Sequence, residues 1–128
     1  MLFYNISKFL EHPYTEDLSV KINFIVSILL NLFTWFILWY KLHSFAYSTE
    51  YGQIYLHYNI YFGIDNIGYW TKAFIIPALG LFIIIFNNIL AHSFYLQEKL
   101  ICYFLIVTQT LLQIILLAAA LFLILLNI

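Results

Sequence analysis

Three long apolar runs dominate this chain and restrict what it can fold into. They occupy residues 23–42, 71–94 and 101–127. A helix needs about 20 apolar residues to cross the hydrocarbon core of a bilayer, and each run is long enough. Only 9% of the 128 residues are charged, whereas roughly a quarter are charged in a soluble domain. The sequence therefore predicts an all-α membrane protein, a single domain with three transmembrane helices, in contact with membrane lipid.

Charge and cysteine content exclude several other classes. All five basic residues are lysines, and the formal net charge is -1. Nucleic-acid binding requires clustered Lys or Arg, so no nucleic-acid partner is expected. The single cysteine, Cys102, cannot form an internal disulfide, and its apolar neighbours favour an inert buried thiol.

The N-terminal segment is amphipathic. Residues 1–12 place apolar side chains on one helical face and polar ones on the other, which predicts a helix lying in the membrane interface and ended by Pro13. A cleaved signal peptide is disfavoured because the first long apolar run starts only after Lys21. Three residues ahead of that run offer cap oxygens and negative charge for a helix start: Thr15, Glu16 and Asp17.

Lysines at the ends of the runs predict the orientation. Lys8, Lys21 and Lys99 lie on the side of the N-terminus, and Lys41 and Lys72 lie on the side of residues 43–70. Because positive charge is retained in the cytoplasm, we expect the N-terminus inside and the 43–70 loop outside.

Polar and small residues inside the runs fall on one face of each helix at 100° per residue. In the first run they are Asn23, Ser27, Asn31 and Thr34. The second run gathers Ala73, Pro77, Gly80, Asn87, Asn88, Ala91 and His92, with Pro77 and Gly80 expected to kink it. The third has Cys102, Gln109, Gln113 and Ala120. Polar side chains in hydrocarbon face protein, so these faces should point inward.

Two interpretations of the polar faces remain open. Counting from the predicted helix ends puts Asn31, Asn87 and Gln109 at one depth. They would form a helix-packing polar layer with Asn88 and Gln113, held by interhelical hydrogen bonds. Alternatively they line a path for a small solute, with His92 handling protons at its cytoplasmic mouth. The absence of Asp, Glu, Lys and Arg from the centre of the runs favours packing.

The loop between the first two runs has a strand pattern. Residues 54–65 alternate between two faces, which predicts a β-hairpin with a tight turn at Tyr58 and Asn59. Asp65 and Gly68 stand at the first and last positions expected of a type I turn. The apolar row of the hairpin should rest on the bilayer or cover the helix ends.

The polar residues of the loop form a candidate recognition surface, made of His57, Asn59, Tyr61 and Asp65. His57 and Asp65 are the loop's candidates for acid-base chemistry, but neither a nucleophile with a base nor a second histidine at ligand spacing accompanies them. We therefore predict no enzymatic activity, no metal and no cofactor. A hairpin edge that pairs with a partner strand, or a structural lid, fits better.

The segment LHYNIYFGID, residues 56–65, followed by Ile67, Gly68 and Trp70 before a proline-containing run, resembles one in uncharacterised small multi-spanning membrane proteins of candidate-phylum bacteria. The resemblance covers this segment and the helices flanking it. It implies a bacterial cytoplasmic membrane and carries no assigned activity.

Taken together, these features predict a non-enzymatic integral membrane scaffold or accessory subunit. It would act by helix packing, as a homo-oligomer or in a larger membrane complex, and through its ordered outer loop. A small oligomeric transporter or channel that uses the polar helix faces is the alternative.

Overall fold

The computed structural model describes residues 12–48 and 52–128. Its three long helices are α1 (Leu18–Ser48), α2 (Ile75–Phe94) and α3 (Lys99–Asn127). Three stretches are long and apolar enough to cross a membrane, Leu18–Ser44, Trp70–Phe94 and Lys99–Leu126. The prediction of three such helices is confirmed. Of the predicted interfacial helix at residues 1–12, all but His12 lies outside the described residues.

Helix α1 is longer at both ends than the predicted 23–42. It begins at Leu18 because Asp17 caps it, with Oδ1 accepting from the backbone N–H groups of Ser19 at 2.9 Å and Val20 at 3.4 Å. The helix continues to Ser48, beyond the end of the apolar run. Lys41 interrupts the apolar run but does not end the helix, because lysine is a good helix former. The predicted outer loop, 43–70, is shorter by those last helical residues.

A short 3-10 helix, Trp70–Phe74, leads into α2, and a four-residue helix, Pro13–Glu16, precedes α1. Pro77 is the third residue of α2. In the first turn of a helix the N–H that proline lacks has no helical partner to lose. Pro77 therefore lies in the first turn of α2, where it fits without the loss of a helical hydrogen bond. The third helix starts at Lys99, two residues ahead of the predicted 101–127.

The hairpin is present, and its turn lies further along the chain than predicted. Strand β1 (Gln53–Asn59) pairs antiparallel with β2 (Gly63–Tyr69), and residues 60–62 form the turn. Asn59 Oδ1 accepts from the Tyr61 N–H at 2.9 Å, and Gly63 has a φ of +73°, which glycine adopts without strain. These two residues place the turn between them, so the predicted turn at Tyr58 and Asn59 is wrong.

The predicted type I turn from Asp65 to Gly68 is also wrong, because these residues belong to β2. Gly68 faces Ile54 across the hairpin, and Ile67 faces Tyr55. Pairing with β1 has overridden the local turn preference of the Asp and Gly pair. The register shifts next to His57, and this irregularity breaks the uninterrupted alternation expected over residues 54–65.

Helix α3 packs against both other helices, which contact each other less. Apolar clusters close the two ends of the bundle. One cluster consists of Tyr14, Val20, Ala91, Tyr95, Cys102 and Ile106. The other consists of Leu38, Leu42, Ile54, Ala73, Ala120 and Ile124. Ile54 of β1 is only 3% exposed, and Leu56 packs against the same cluster, so the base of the hairpin covers the helix ends. The rest of the predicted apolar row, from Tyr58 to Ile64, is exposed and does not cover them.

Candidate functional site

Amide side chains bridge the three helices between the two apolar clusters. Asn31 of α1 donates through Nδ2 to the carbonyl oxygen of Pro77 at 2.9 Å and to Gln113 Oε1 at 3.2 Å. Gln113 Nε2 donates to the carbonyl oxygen of Gly80 at 2.9 Å. Asn31 and Gln113 are 3% and 1% exposed. We name Asn31, Gln113 and the Pro77 and Gly80 carbonyls the central layer.

A second set of bonds lies one turn of α3 nearer the N-terminal end. Asn88 Nδ2 donates to Gln109 Oε1 at 2.8 Å and to the Ile84 carbonyl at 2.7 Å, and the Tyr14 hydroxyl donates to Asn88 Oδ1 at 2.7 Å. These hydrogen bonds hold the amide side chains of Asn88 and Gln109 in place. Gln109 is fully buried, and its Nε2 has no hydrogen-bond acceptor among the described residues.

The single depth predicted for Asn31, Asn87 and Gln109 is wrong, because Asn31 pairs with Gln113. Helix α1 starts at Leu18 and not at the predicted residue 23, so Asn31 lies deeper in the bundle than expected. Asn87 lies apart from both amide pairs and donates through Nδ2 to the Leu105 carbonyl at 3.3 Å. The inward-facing prediction is confirmed for Ser27, Asn31, Thr34, Gln109 and Gln113, all of which are buried.

Asp17 organises the N-terminal end, a role that sequence reasoning limited to capping. Its Oδ2 accepts from the Tyr103 hydroxyl at 2.6 Å and from the Tyr95 hydroxyl at 2.9 Å. The hydrogen bond from Tyr103, joined by those from Tyr95 and two backbone N–H groups, lowers the pKa of Asp17. The hydrogen bond to Asp17 raises the pKa of Tyr95. Asp17 thus ties the start of α1 to the start of α3.

Aromatic rings close the same end of the bundle. The His12 and His92 rings lie 4.2 Å apart between centroids, and Tyr14 meets both His92 and Tyr95 edge to face. Burial raises the pKa of Tyr14 above its ordinary value, and the protonated hydroxyl donates to Asn88 Oδ1. His92 thus sits in a ring cluster at the end of the bundle.

The predicted recognition surface gathers on the outer half of the hairpin. His57 Nδ1 and Asp65 Oδ1 are 2.6 Å apart across the two strands, and Asn59 shapes the turn that presents Tyr61. Tyr61 is 87% exposed, and its neighbours Ile60 and Phe62 are 82% and 83% exposed. We name residues 57–65 the hairpin tip. It joins one histidine–carboxylate contact to a cluster of exposed aromatic and apolar side chains.

The hairpin base is fixed to the helices. Asn127 at the end of α3 accepts from the Tyr55 N–H through Oδ1 and donates to the Tyr55 carbonyl through Nδ2, both at 2.8 Å. The Trp70 N–H donates to the Gly52 carbonyl at 3.1 Å. The outer edge of β1 is therefore already bonded at Tyr55, and a partner strand cannot pair with it there without displacing Asn127.

Within residues 12–48 and 52–128, no three His, Cys, Asp or Glu side chains are grouped to hold a metal ion. Comparison with protein-family models, with curated proteins and with solved structures finds no match to this chain. The described residues offer two candidate sites: amide pairs that join the helices, and a hairpin tip presented from a fixed base.

Proposed function

We propose that this chain is a non-enzymatic integral membrane scaffold or accessory subunit. One observation carries the proposal: the central layer joins α1, α2 and α3 by hydrogen bonds within one chain. Interhelical bonds of this kind each contribute about 0.6 kcal/mol in a membrane and specify how helices pack. The polar faces therefore serve the bundle itself.

The outer faces of the helices are available for lipid or for protein neighbours. In the most apolar segment of each candidate span, only 22% of the residues are buried within the chain. A three-helix unit of this shape would pack against copies of itself or against a larger complex. By the lysine distribution and the resemblance of its loop, its place would be a bacterial cytoplasmic membrane, with the N-terminus inside and the hairpin outside.

A small channel or transporter is the alternative function. It requires polar side chains that face water, whereas Asn31 and Gln113 are buried and bonded to each other. A substrate path would also have to break the bonds that hold α2 to its neighbours. These contacts favour the scaffold.

Cysteine labelling separates the two functions. In a Cys102→Ala background, we expect Asn31→Cys and Gln113→Cys to stay unreactive toward a charged aqueous maleimide, because both positions are buried. Tyr61→Cys should react in intact cells, and Glu98→Cys only after permeabilisation, since these exposed positions lie at opposite ends of the bundle. Labelling of Asn31→Cys or Gln113→Cys in the folded protein would favour the channel, and Glu98→Cys reacting from outside would reverse the orientation.

Photo-crosslinking tests the hairpin tip as the recognition surface. A photoreactive residue at Tyr61 should yield one discrete membrane-protein adduct, and the same residue at exposed Gln53 in the base should yield little. Asn127→Ala removes both hydrogen bonds to Tyr55, each worth about 1 kcal/mol, and should reduce the Tyr61 adduct by loosening the hairpin. Equal adducts from both positions would indicate random collision and count against recognition by the tip.

A further inference from the structure

A groove opens between α1 and α2 at the N-terminal end of the bundle. Its volume is about 390 Å³, within the range of small-molecule sites. Val20 and Phe24 from α1 and Ile89 from α2 form its apolar wall, and Lys21 and Ser93 stand at its edge. The groove exists because these two helices contact each other less than either contacts α3.

The depth of the groove matches a lipid headgroup and the first part of its acyl chain. Lys21 lies in the first turn of the candidate span Leu18–Ser44, and Ser93 is next to the last residue of Trp70–Phe94. Phe24 and Ile89 lie one turn deeper. A phosphate at the level of Lys21 would therefore leave its acyl chain against Phe24 and Ile89.

Lys21 has no anionic partner among the described residues. The nearest carboxylate in sequence, Asp17, is held on the α3 side by the Tyr95 and Tyr103 hydroxyls and by the backbone of α1. Glu16 is exposed and makes no ion pair with Lys21. A lysine at headgroup level beside an apolar groove attracts an anionic lipid.

We propose that this groove is a binding site for an anionic phospholipid, with the phosphate on Lys21 and one acyl chain against Val20, Phe24 and Ile89. The site goes beyond the scaffold function and rests on the proposed insertion of the chain in a membrane. Insertion is tested separately, by resistance of the protein to alkaline extraction from membranes. A failure of the lipid site can therefore be distinguished from a failure of membrane insertion.

The test is native mass spectrometry of the full chain, released from nanodiscs of equal phosphatidylglycerol and phosphatidylcholine. We expect preferential retention of one phosphatidylglycerol. Lys21→Gln should lower that preference about fivefold, the equivalent of ~1 kcal/mol per lysine near a charged surface. Lys41→Gln, which removes the same charge at the opposite end of α1, should leave it unchanged.

A second variant fills the groove and leaves the charge in place. Ile89 is 60% exposed, so Ile89→Trp adds bulk toward the groove with little strain in the core and should abolish retention. Glycerol phosphate, which has no acyl chain, should not compete. Four outcomes would each overturn the site. The wild type could show no lipid preference, or Lys21→Gln and Lys41→Gln could lose the preference equally. Ile89→Trp could retain phosphatidylglycerol fully, or glycerol phosphate could compete with it.

Discussion

Gly80→Ala is expected to lower the free energy of unfolding by about 2–4 kcal/mol. A Cβ at this position would lie 2.5 Å from Asn31 Nδ2 and 2.6 Å from Gln113 Oε1. Both side chains are pinned by hydrogen bonds, and Leu116 Cδ1, at 3.1 Å, limits any movement. Overpacking costs about 1–3 kcal/mol, and each displaced interhelical bond adds about 0.6 kcal/mol.

The measurement is unfolding of the purified protein in mixed micelles by titration with sodium dodecyl sulfate, followed by tryptophan fluorescence. Trp35 of α1 stacks on Phe74 at 5.3 Å between centroids, so with Trp39 and Trp70 replaced by Phe the emission reports separation of α1 from the helix leading into α2. The same titration followed by circular dichroism distinguishes separation of helices from loss of helix.

A double-mutant cycle provides the control. In an Asn31→Ala background the nearest atom is gone and Gln113 has lost one of its bonds, so Gly80→Ala should cost at least about 1 kcal/mol less than in the wild type. An identical cost in both backgrounds would mean that the added methyl acts through the backbone of α2 and not through the central layer.

The number of helices and their inward faces could be predicted because both depend on local sequence. The length of an apolar run is read directly from the sequence and predicts a long helix. Helical periodicity places Ser27, Asn31 and Thr34 on one face, whichever neighbour the helix packs against. The hairpin was likewise visible in the alternation of residues 54–65.

Features that depend on contacts between distant segments were missed. The pairing of Asn31 with Gln113 depends on how α1 packs against α3, and a depth counted along one apolar run does not give it. The predicted position of the hairpin turn is wrong because Asn59 and Gly63 each indicate a turn only weakly when taken alone. Together they form the turn, whereas Asp65 and Gly68, which match a turn pattern better, belong to β2. The tyrosine hydroxyls that meet Asp17 come from 78 and 86 residues further along the chain.

Asp17→Ala should also cost about 2–4 kcal/mol. It removes a helix cap worth about 1 kcal/mol and two hydrogen bonds to a charged acceptor worth about 1.5 kcal/mol each, reduced by the partial exposure of the site. Glu16→Ala removes the same charge from the neighbouring exposed position and should change stability by less than about 0.5 kcal/mol. Thermal unfolding in a nonionic detergent, followed by circular dichroism, measures both. Equal effects would show that net charge, not the contacts of Asp17, matters.

The lowered pKa of Asp17 predicts how stability depends on pH. Its carboxylate stabilises the fold fully above the ordinary pKa of 3.8, and this contribution is lost as the pH falls through that value toward the lower pKa of the folded state. Asp17→Asn cannot titrate there, while the other carboxyl groups are common to both proteins. The difference in Tm between wild type and Asp17→Asn should therefore be constant from pH 7 to about pH 5 and shrink below pH 4. A difference that stays constant down to pH 2 would mean that the Tyr95 and Tyr103 hydroxyls do not hold the ionised form.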